Sequence, residues 1–382
     1  MRRLKTFAIA AFGAALAGLA ACAGGPSSQR GSAAYDWRLP EWVPLPVVPA
    51  DNPISEAKFE LGRHLFYDTR LSADRTQACA TCHHQDRAFT DGRALPVGVT
   101  GDVVARNAQG IANVAWLPVL TWANPNVKSL EQQALIPMFG THPTELGMAG
   151  REDELFARLR AEPRYRPLFA AAFPEAPDEI SLRTITRALA AFQRGIVSYR
   201  SPYDRYKWGG EADAISASAK RGEDLFFGER LECYHCHGGF TFTDNIRHAR
   251  LPFAELGFHN TALYDVDGEG GYPAGNPGIV EHTGEPDDRG RFRTPSLRNV
   301  EVTAPYMHDG SIETLDAAID HYAAGGRKPG NPLKSNFLVG FELSAPERGD
   351  LIAFLKSLTD RSLLTDPRYA DPWNGAASPR AK

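Results

Sequence analysis

"ACATCHHQD", residues 78–86, and "ECYHCHGGF", residues 232–240, each contain Cys-x-x-Cys-His. The chain has five cysteines, and four of them, Cys79, Cys82, Cys233 and Cys236, sit inside these two pentapeptides. The pattern reads as covalent c-type haem attachment, with two thioether bonds to the porphyrin and the next histidine on iron. A thioredoxin-like pair belongs in a βαβ pattern, and no strand pattern surrounds either site. A zinc site made from both pairs does not require a histidine directly after each second cysteine. Disulfides between such near neighbours are poor long-range staples. Two c-type haems are therefore expected, one on Cys79, Cys82 and His83 and one on Cys233, Cys236 and His237.

The repeat extends beyond the motif. "KFELGRHLFYDTRLS" at 58–72 and "AKRGEDLFFGERLE" at 219–232 share Gly-x-x-Leu-Phe-aromatic ahead of each site. The apolar residues fall on one helical face, and Gly62 and Gly222 leave room for a close helix neighbour. Gly and Pro are frequent, 35 and 28 residues, which suggests short helices between long ordered loops. The expected fold is all-α, two tandem cytochrome c-type domains with long haem-wrapping loops, at 51–205 and 206–382.

"MRRLKTFAIAAFGAALAGLAAC" carries Arg2, Arg3 and Lys5, then an apolar run, then small residues before Cys22. This reads as a secretory signal peptide at 1–21, and so as a periplasmic protein. "LAAC" resembles a lipobox, making Cys22 a lipid-anchored first residue; ordinary cleavage near "ACA" is the alternative. Residues 22–50 are expected to be a flexible tether. The net charge is −4 without a Lys/Arg block, so nucleic acid is not an expected partner.

An open iron position separates an enzyme from an electron carrier. After the first motif, Met138 and His142 are the first candidates for a sixth ligand, and "IPMFG" suits Met138 equally well as a core residue. His84, beside His83, is poorly placed to reach the opposite face. For the second haem, Met307 in "APYMHDG" is a candidate on chemistry alone.

"RFRTPSLRNVEVTAPYMHDGSIETLDAAIDHYAAGG", residues 291–326, resembles the bacterial dihaem peroxidase family, which includes dihaem cytochrome c peroxidases and MauG-type enzymes. The resemblance runs from about residue 50 to residue 365. "FHNTALYDVDGEGGYPAGNPGIVEHTGEPDDRGRFRTPSLRNV" is similar to the MbnH branch, associated with methanobactin gene clusters and a partner called MbnP.

The resemblance implies a peroxide-reacting first haem left open, because "FTDGRALPVGVTGD" lacks the histidine of the reductively activated enzymes. It implies Gln133, Pro137 and Glu145 over that open face, with His142 competing for the acid–base role of Glu145. It implies Tyr322 as axial ligand of the second haem, with His321 as the alternative, and Trp122 between the haems. It also implies a calcium ion held by Asn107 and the carbonyls of Thr303 and Pro305.

The implied function is a periplasmic enzyme that uses hydrogen peroxide to oxidise an exported partner protein, tryptophan to kynurenine, through a high-valent dihaem state. The first alternative is a peroxidase reducing peroxide to water with electrons from a small redox protein. The second is a non-catalytic dihaem electron-transfer cytochrome.

Overall fold

The structure is a computed structural model that describes residues 35–373. The signal segment, Cys22 and tether residues 23–34 lie outside the described residues. Twelve α-helices are present among the described residues: α1 Glu56–Phe66, α2 Cys79–Cys82, α3 Leu130–Phe139, α4 Glu152–Ala161, α5 Tyr165–Ala172, α6 Leu182–Arg194, α7 Pro202–Lys207, α8 Ala217–Phe226, α9 Tyr234–His237, α10 Val280–Thr283, α11 Leu315–Ala323 and α12 Ala345–Ser357.

The four helices that frame the sites start at serine caps. Ser55, Ser181, Ser216 and Ser344 each accept from a backbone N–H in the first turn of α1, α6, α8 and α12. α1 packs on α6, and α8 packs on α12. The two glycines set both crossings in the same way. A Cβ on Gly62 would lie 1.9 Å from Ala188 O and 2.8 Å from Phe192 Cβ. A Cβ on Gly222 would lie 2.0 Å from Asp350 O and 2.8 Å from Phe354 Cβ. Backbone carbonyls cannot step aside, so the helix pair must move apart. Gly222→Ala is expected to cost ~1–3 kcal/mol or more, read as a lower urea midpoint at unchanged slope. An unchanged midpoint would show that the crossing tolerates a methyl group.

Apolar residues follow this duplication. One buried cluster joins Phe59, Phe66, Leu71 and Phe89 to Phe192 on α6. A second joins Tyr203, Phe226 and Phe242 to Phe354 on α12. A third, around Trp122, Tyr272, Phe292 and Ile312, takes side chains from sequence-distant loops. The chain end crosses back to the first cluster: Leu363 and Tyr369 are buried in it, and Tyr67 Oη donates to Tyr369 O at 2.7 Å.

Two expectations need correction. The fold is not all-α. The protein is 35% helical, most of the rest is loop, and there is a small antiparallel sheet. Strand β1, Phe258–Asn260, pairs with β2, Arg291–Arg293, so that His259 faces Phe292. Three-residue strands are too short to show a period of two, and loops that wrap a large flat group need turns more than helices. The tether, expected at 22–50, is packed from Tyr35 onward. Val43 is buried, Trp116 Nε1 donates to Pro44 O at 2.9 Å, and Ala249 N donates to Leu45 O at 2.9 Å. Aromatic and proline residues hold this stretch on the body, where a Gly/Ser composition would leave it free.

Candidate functional site

Each Cys-x-x-Cys-His is a single helical turn whose histidine is tied to the loop that follows. His83 Nδ1 donates to Phe89 O at 2.7 Å, and His237 Nδ1 donates to Phe242 O at 3.1 Å. Phe89 and Phe242 both have positive φ, 65° and 52°. Each opens a Phe-Thr-Asp tripeptide, a further element of the repeat that the sequence reading passed over. With the proton held on Nδ1, Nε2 keeps its lone pair for a metal. Burial lowers the pKa of both histidines, which favours this neutral form.

The cysteines fit thioether attachment better than redox exchange. Burial pushes the thiols of Cys79, Cys82 and Cys233 up to about 12, the reverse of what a reactive thiolate needs. None of the four is in a disulfide. Among the described residues the two pairs do not converge on a common metal position.

α3 and the loop after it share a buried cluster with Cys79 through Leu130, Ala134, Met138 and Leu146. Gln133 and Pro137 are four residues apart and share one face of α3. Leu146 N donates to Pro137 O at 2.9 Å and Met148 N to Met138 O at 2.8 Å, folding the chain back along the helix. Val99 N, bonded to Glu145 O at 2.7 Å, holds the turn from the other side. Gly98 is required there, since a Cβ would lie 1.8 Å from Thr144 O. The carboxyl of Glu145 thereby comes within electrostatic reach of Cys79 and Cys82. Burial raises its pKa. His142 is exposed, its Nδ1 3.1 Å from Thr141 Oγ1, and Met138 is fully buried in the first cluster.

The second site lies in a cavity of about 290 Å³ lined by Cys233, Cys236, His237 and Tyr322. The cavity continues to Trp122, Asn107, Thr303 and Pro305, so these expected residues share one space. Burial pushes the phenol of Tyr322, on α11, well above the ordinary range, and the residue lies near Cys236 and Cys233. His321 does not line the cavity, and neither of its ring nitrogens has a partner among the described residues. Met307 reaches the cavity but packs with the Trp122 cluster. Trp122 Nε1 donates to Asn107 O at 2.9 Å, which fixes the indole.

Two groups that the sequence reading missed test whether haem fits this space. Arg293 is 4% exposed, lines the cavity and has no carboxylate at ion-pair distance among the described residues. Its guanidinium donates to Thr121 O and Gln109 Oε1 and lies 6.0 Å from the Trp122 ring. Burial pulls it down to about 10. His308, stacked on Phe292 at 3.6 Å, lines the same cavity with Nε2 unpartnered among the described residues. Arg293 has hydrogen-bond acceptors but no counter-charge, and His308 Nε2 has no partner; a large apolar group bearing carboxylates, as haem is, supplies both volume and charge. The only hint in the sequence was the alternation of Arg and Phe in "RFRTP".

Two attachment turns, two buried histidines with Nε2 free for a metal, and a buried cation without a carboxylate beside an apolar cavity fit a protein built around two covalently bound haems. The family described as di-haem cytochrome c peroxidase matches residues 56–213. The chain is 37% identical to methylamine utilization protein MauG of Methylophilus methylotrophus, covering 86% of this chain and 89% of that one. It is 36% identical to cytochrome-c peroxidase IdrP1 of Denitromonas iodatirespirans, covering 91% and 94%. A crystal structure of a MauG-like protein associated with microbial copper homeostasis superposes with a TM-score of 0.86 at 51% identity, covering 89% and 100%. This chain belongs to the di-haem cytochrome c peroxidase and MauG family and is a dihaem peroxidase-type oxidoreductase. The copper-associated neighbour agrees with the resemblance to the MbnH branch.

Proposed function

We propose that this chain is a periplasmic enzyme that uses hydrogen peroxide to oxidise a tryptophan of an exported, MbnP-like partner to kynurenine. The observation that supports the reading is the contrast between the sites: a buried carboxyl lies near the first attachment motif, and a phenol lines one cavity with the second. His83 and His237 would hold the haems, which when bound supply the redox chemistry that cleaves peroxide. Glu145 takes a proton from one peroxide oxygen and delivers it to the departing one, a role suited to a carboxyl whose pKa burial has raised. Gln133 offers an amide to orient peroxide, and the Pro137 ring walls the pocket. Tyr322 would hold the second haem together with His237, and an anionic oxygen donor there would favour oxidised iron. Trp122, held by Asn107 and with Arg293 near its face, relays electrons between the sites.

Conversion to kynurenine consumes two peroxides: tryptophan and two peroxides give N-formylkynurenine and two waters, and water then removes formate. Mixing the holoenzyme, peroxide and a purified MbnP-like exported protein should give the small mass gain that marks exchange of one carbon for one oxygen. Trp122→Phe should slow this at least tenfold while sparing peroxide binding. Rapid peroxide consumption with a reduced cytochrome, and an unchanged partner mass, would favour the ordinary peroxidase.

Asn107 Nδ2 donates to Arg93 O and Ala94 O, which turns Oδ1 away from those carbonyls. With Thr303 and Pro305 on the same cavity, these oxygens suit a calcium ion, and we include one in the proposal. Prolonged chelation should weaken electronic communication between the haems, and added Ca²⁺ should restore it; haem spectra unaltered by chelation would refute the site. Periplasmic location and a lipid on Cys22 complete the proposal, which mass spectrometry of the membrane-extracted mature chain would test.

A further inference from the structure

A line of aromatic rings leads from the second site to Trp208. Trp208, the residue after α7, is 36% exposed and lies stacked on Trp42, with centroids 4.0 Å apart and planes at 17°. Trp208 meets buried Tyr203 edge-on at 5.7 Å. Tyr203 meets Phe242 edge-on at 5.6 Å. The carbonyl of Phe242 is the one that accepts from His237 Nδ1. The path from a surface indole to His237 is therefore continuous.

Two features separate this line from ordinary core packing. Tyr203 Oη donates to Glu223 Oε1 at 2.8 Å, and both side chains are buried. A phenol that loses an electron becomes a strong acid, so a carboxylate already at hydrogen-bond distance can take the proton and return it. Lys207 Nζ, 2.6 Å from the same oxygen, balances the carboxylate's charge. The N-terminal repeat has Arg63 in the place of Glu223, so this device belongs to the second half alone. The other feature is the stack. Two indoles face to face share a positive charge, which makes the pair easier to oxidise than either ring alone.

We propose that Trp208 and Trp42 form the surface terminus of an oxidation relay, joined through Tyr203 to the second haem site, where an indole of the partner protein gives up its electrons. The inference rests on the proposed oxidation of a partner protein. Hydrogen peroxide is the oxidant and takes two electrons and two protons to become two waters. In each pass the stack gives one electron to oxidised Tyr203, whose oxygen recovers its proton from Glu223. The partner indole refills the stack. Two passes remove two electrons from that indole, which gains an oxygen from water and releases two protons, the number that peroxide consumes. With no partner present, the stack itself takes the oxygen.

The test treats the holoenzyme with peroxide alone and maps oxygen addition along its own chain by peptide mass spectrometry. Trp208 or Trp42 should be oxidised roughly tenfold more than Trp373, which is also partly buried but off the line. Tyr203→Phe keeps the ring and Glu223→Gln keeps the hydrogen bond; each should cut this labelling roughly tenfold with haem content and the rate of the first reaction with peroxide unchanged. Equal labelling of Trp208 and Trp373, or labelling indifferent to both variants, would overturn the relay. A second arm supplies the partner: the double variant Trp42→Phe, Trp208→Phe should slow its mass gain roughly tenfold. A wild-type rate there would refute the relay and leave the partner oxidation standing. Labelling of Trp208 that depends on Tyr203, with a partner that never gains mass, would uphold the relay and sink the partner oxidation.

Discussion

Glu145→Gln should slow peroxide cleavage at the first haem by about 10²–10⁴-fold, the usual worth of one positioned proton carrier. The amide keeps the shape and hydrogen bonding of the side chain but cannot accept and release a proton. Stopped-flow absorbance after mixing with peroxide reads the rate directly. The pH profile adds a second check. Burial holds the Glu145 pKa above the ordinary glutamate value, so the ionised base appears only as pH passes through that raised value. The wild-type rate should rise with pH through this limb, and the variant should lack it. The stability effect has the opposite sense: a raised carboxyl pKa favours the fold below the unfolded-state value, and the benefit is lost as pH rises through the folded value. If His142→Ala slows cleavage and Glu145→Gln does not, the acid–base assignment is wrong.

Tyr322→Met should raise the potential of the second haem by on the order of 100 mV or more, since axial ligands tune haem over several hundred millivolts. An anionic phenolate stabilises oxidised iron, and a neutral thioether does not. Replacing one by the other should turn the site from a holder of oxidising equivalents into an acceptor of electrons. The variant should gain peroxide reduction with a reduced cytochrome and lose the partner's mass gain. Cys233 and Cys236 are untouched, so haem attachment should persist, which an alkaline pyridine spectrum would verify. An unshifted potential, or a shift produced instead by Met307→Ala, would remove Tyr322 from the iron.

Much of this was legible in the sequence because the responsible interactions are local. Cys-x-x-Cys-His carries its chemistry within five residues, so both attachment sites could be read directly. Gly62 and Gly222 stood out because the repeat displays them twice, and both sit where a Cβ would strike a carbonyl. The β1–β2 pair was not legible. Its strands come from "FHN" and "RFR", more than thirty residues apart, and each is too short to show alternation. The packed stretch from Tyr35 to Ala50 was also missed, because what orders it is contact with Trp116, Tyr199 and the 246–249 segment.

The sequence by itself determined that two haems are bound, which histidines stand on one side of them, and which helices repeat. Each depends on residues joined by a few bonds. Only the tertiary structure decided which groups face those histidines' sites. Glu145 turns inward while His142 stays in solvent, because backbone bonds to Pro137, Met138 and Val99 fold their loop. Tyr322 enters the cavity and His321 does not, because neighbours on a helix point about 100° apart and α11 can present only one of them. Arg293 and the Trp42–Trp208 stack gain their meaning from partners more than 100 residues away, a distance over which no local pattern carries information.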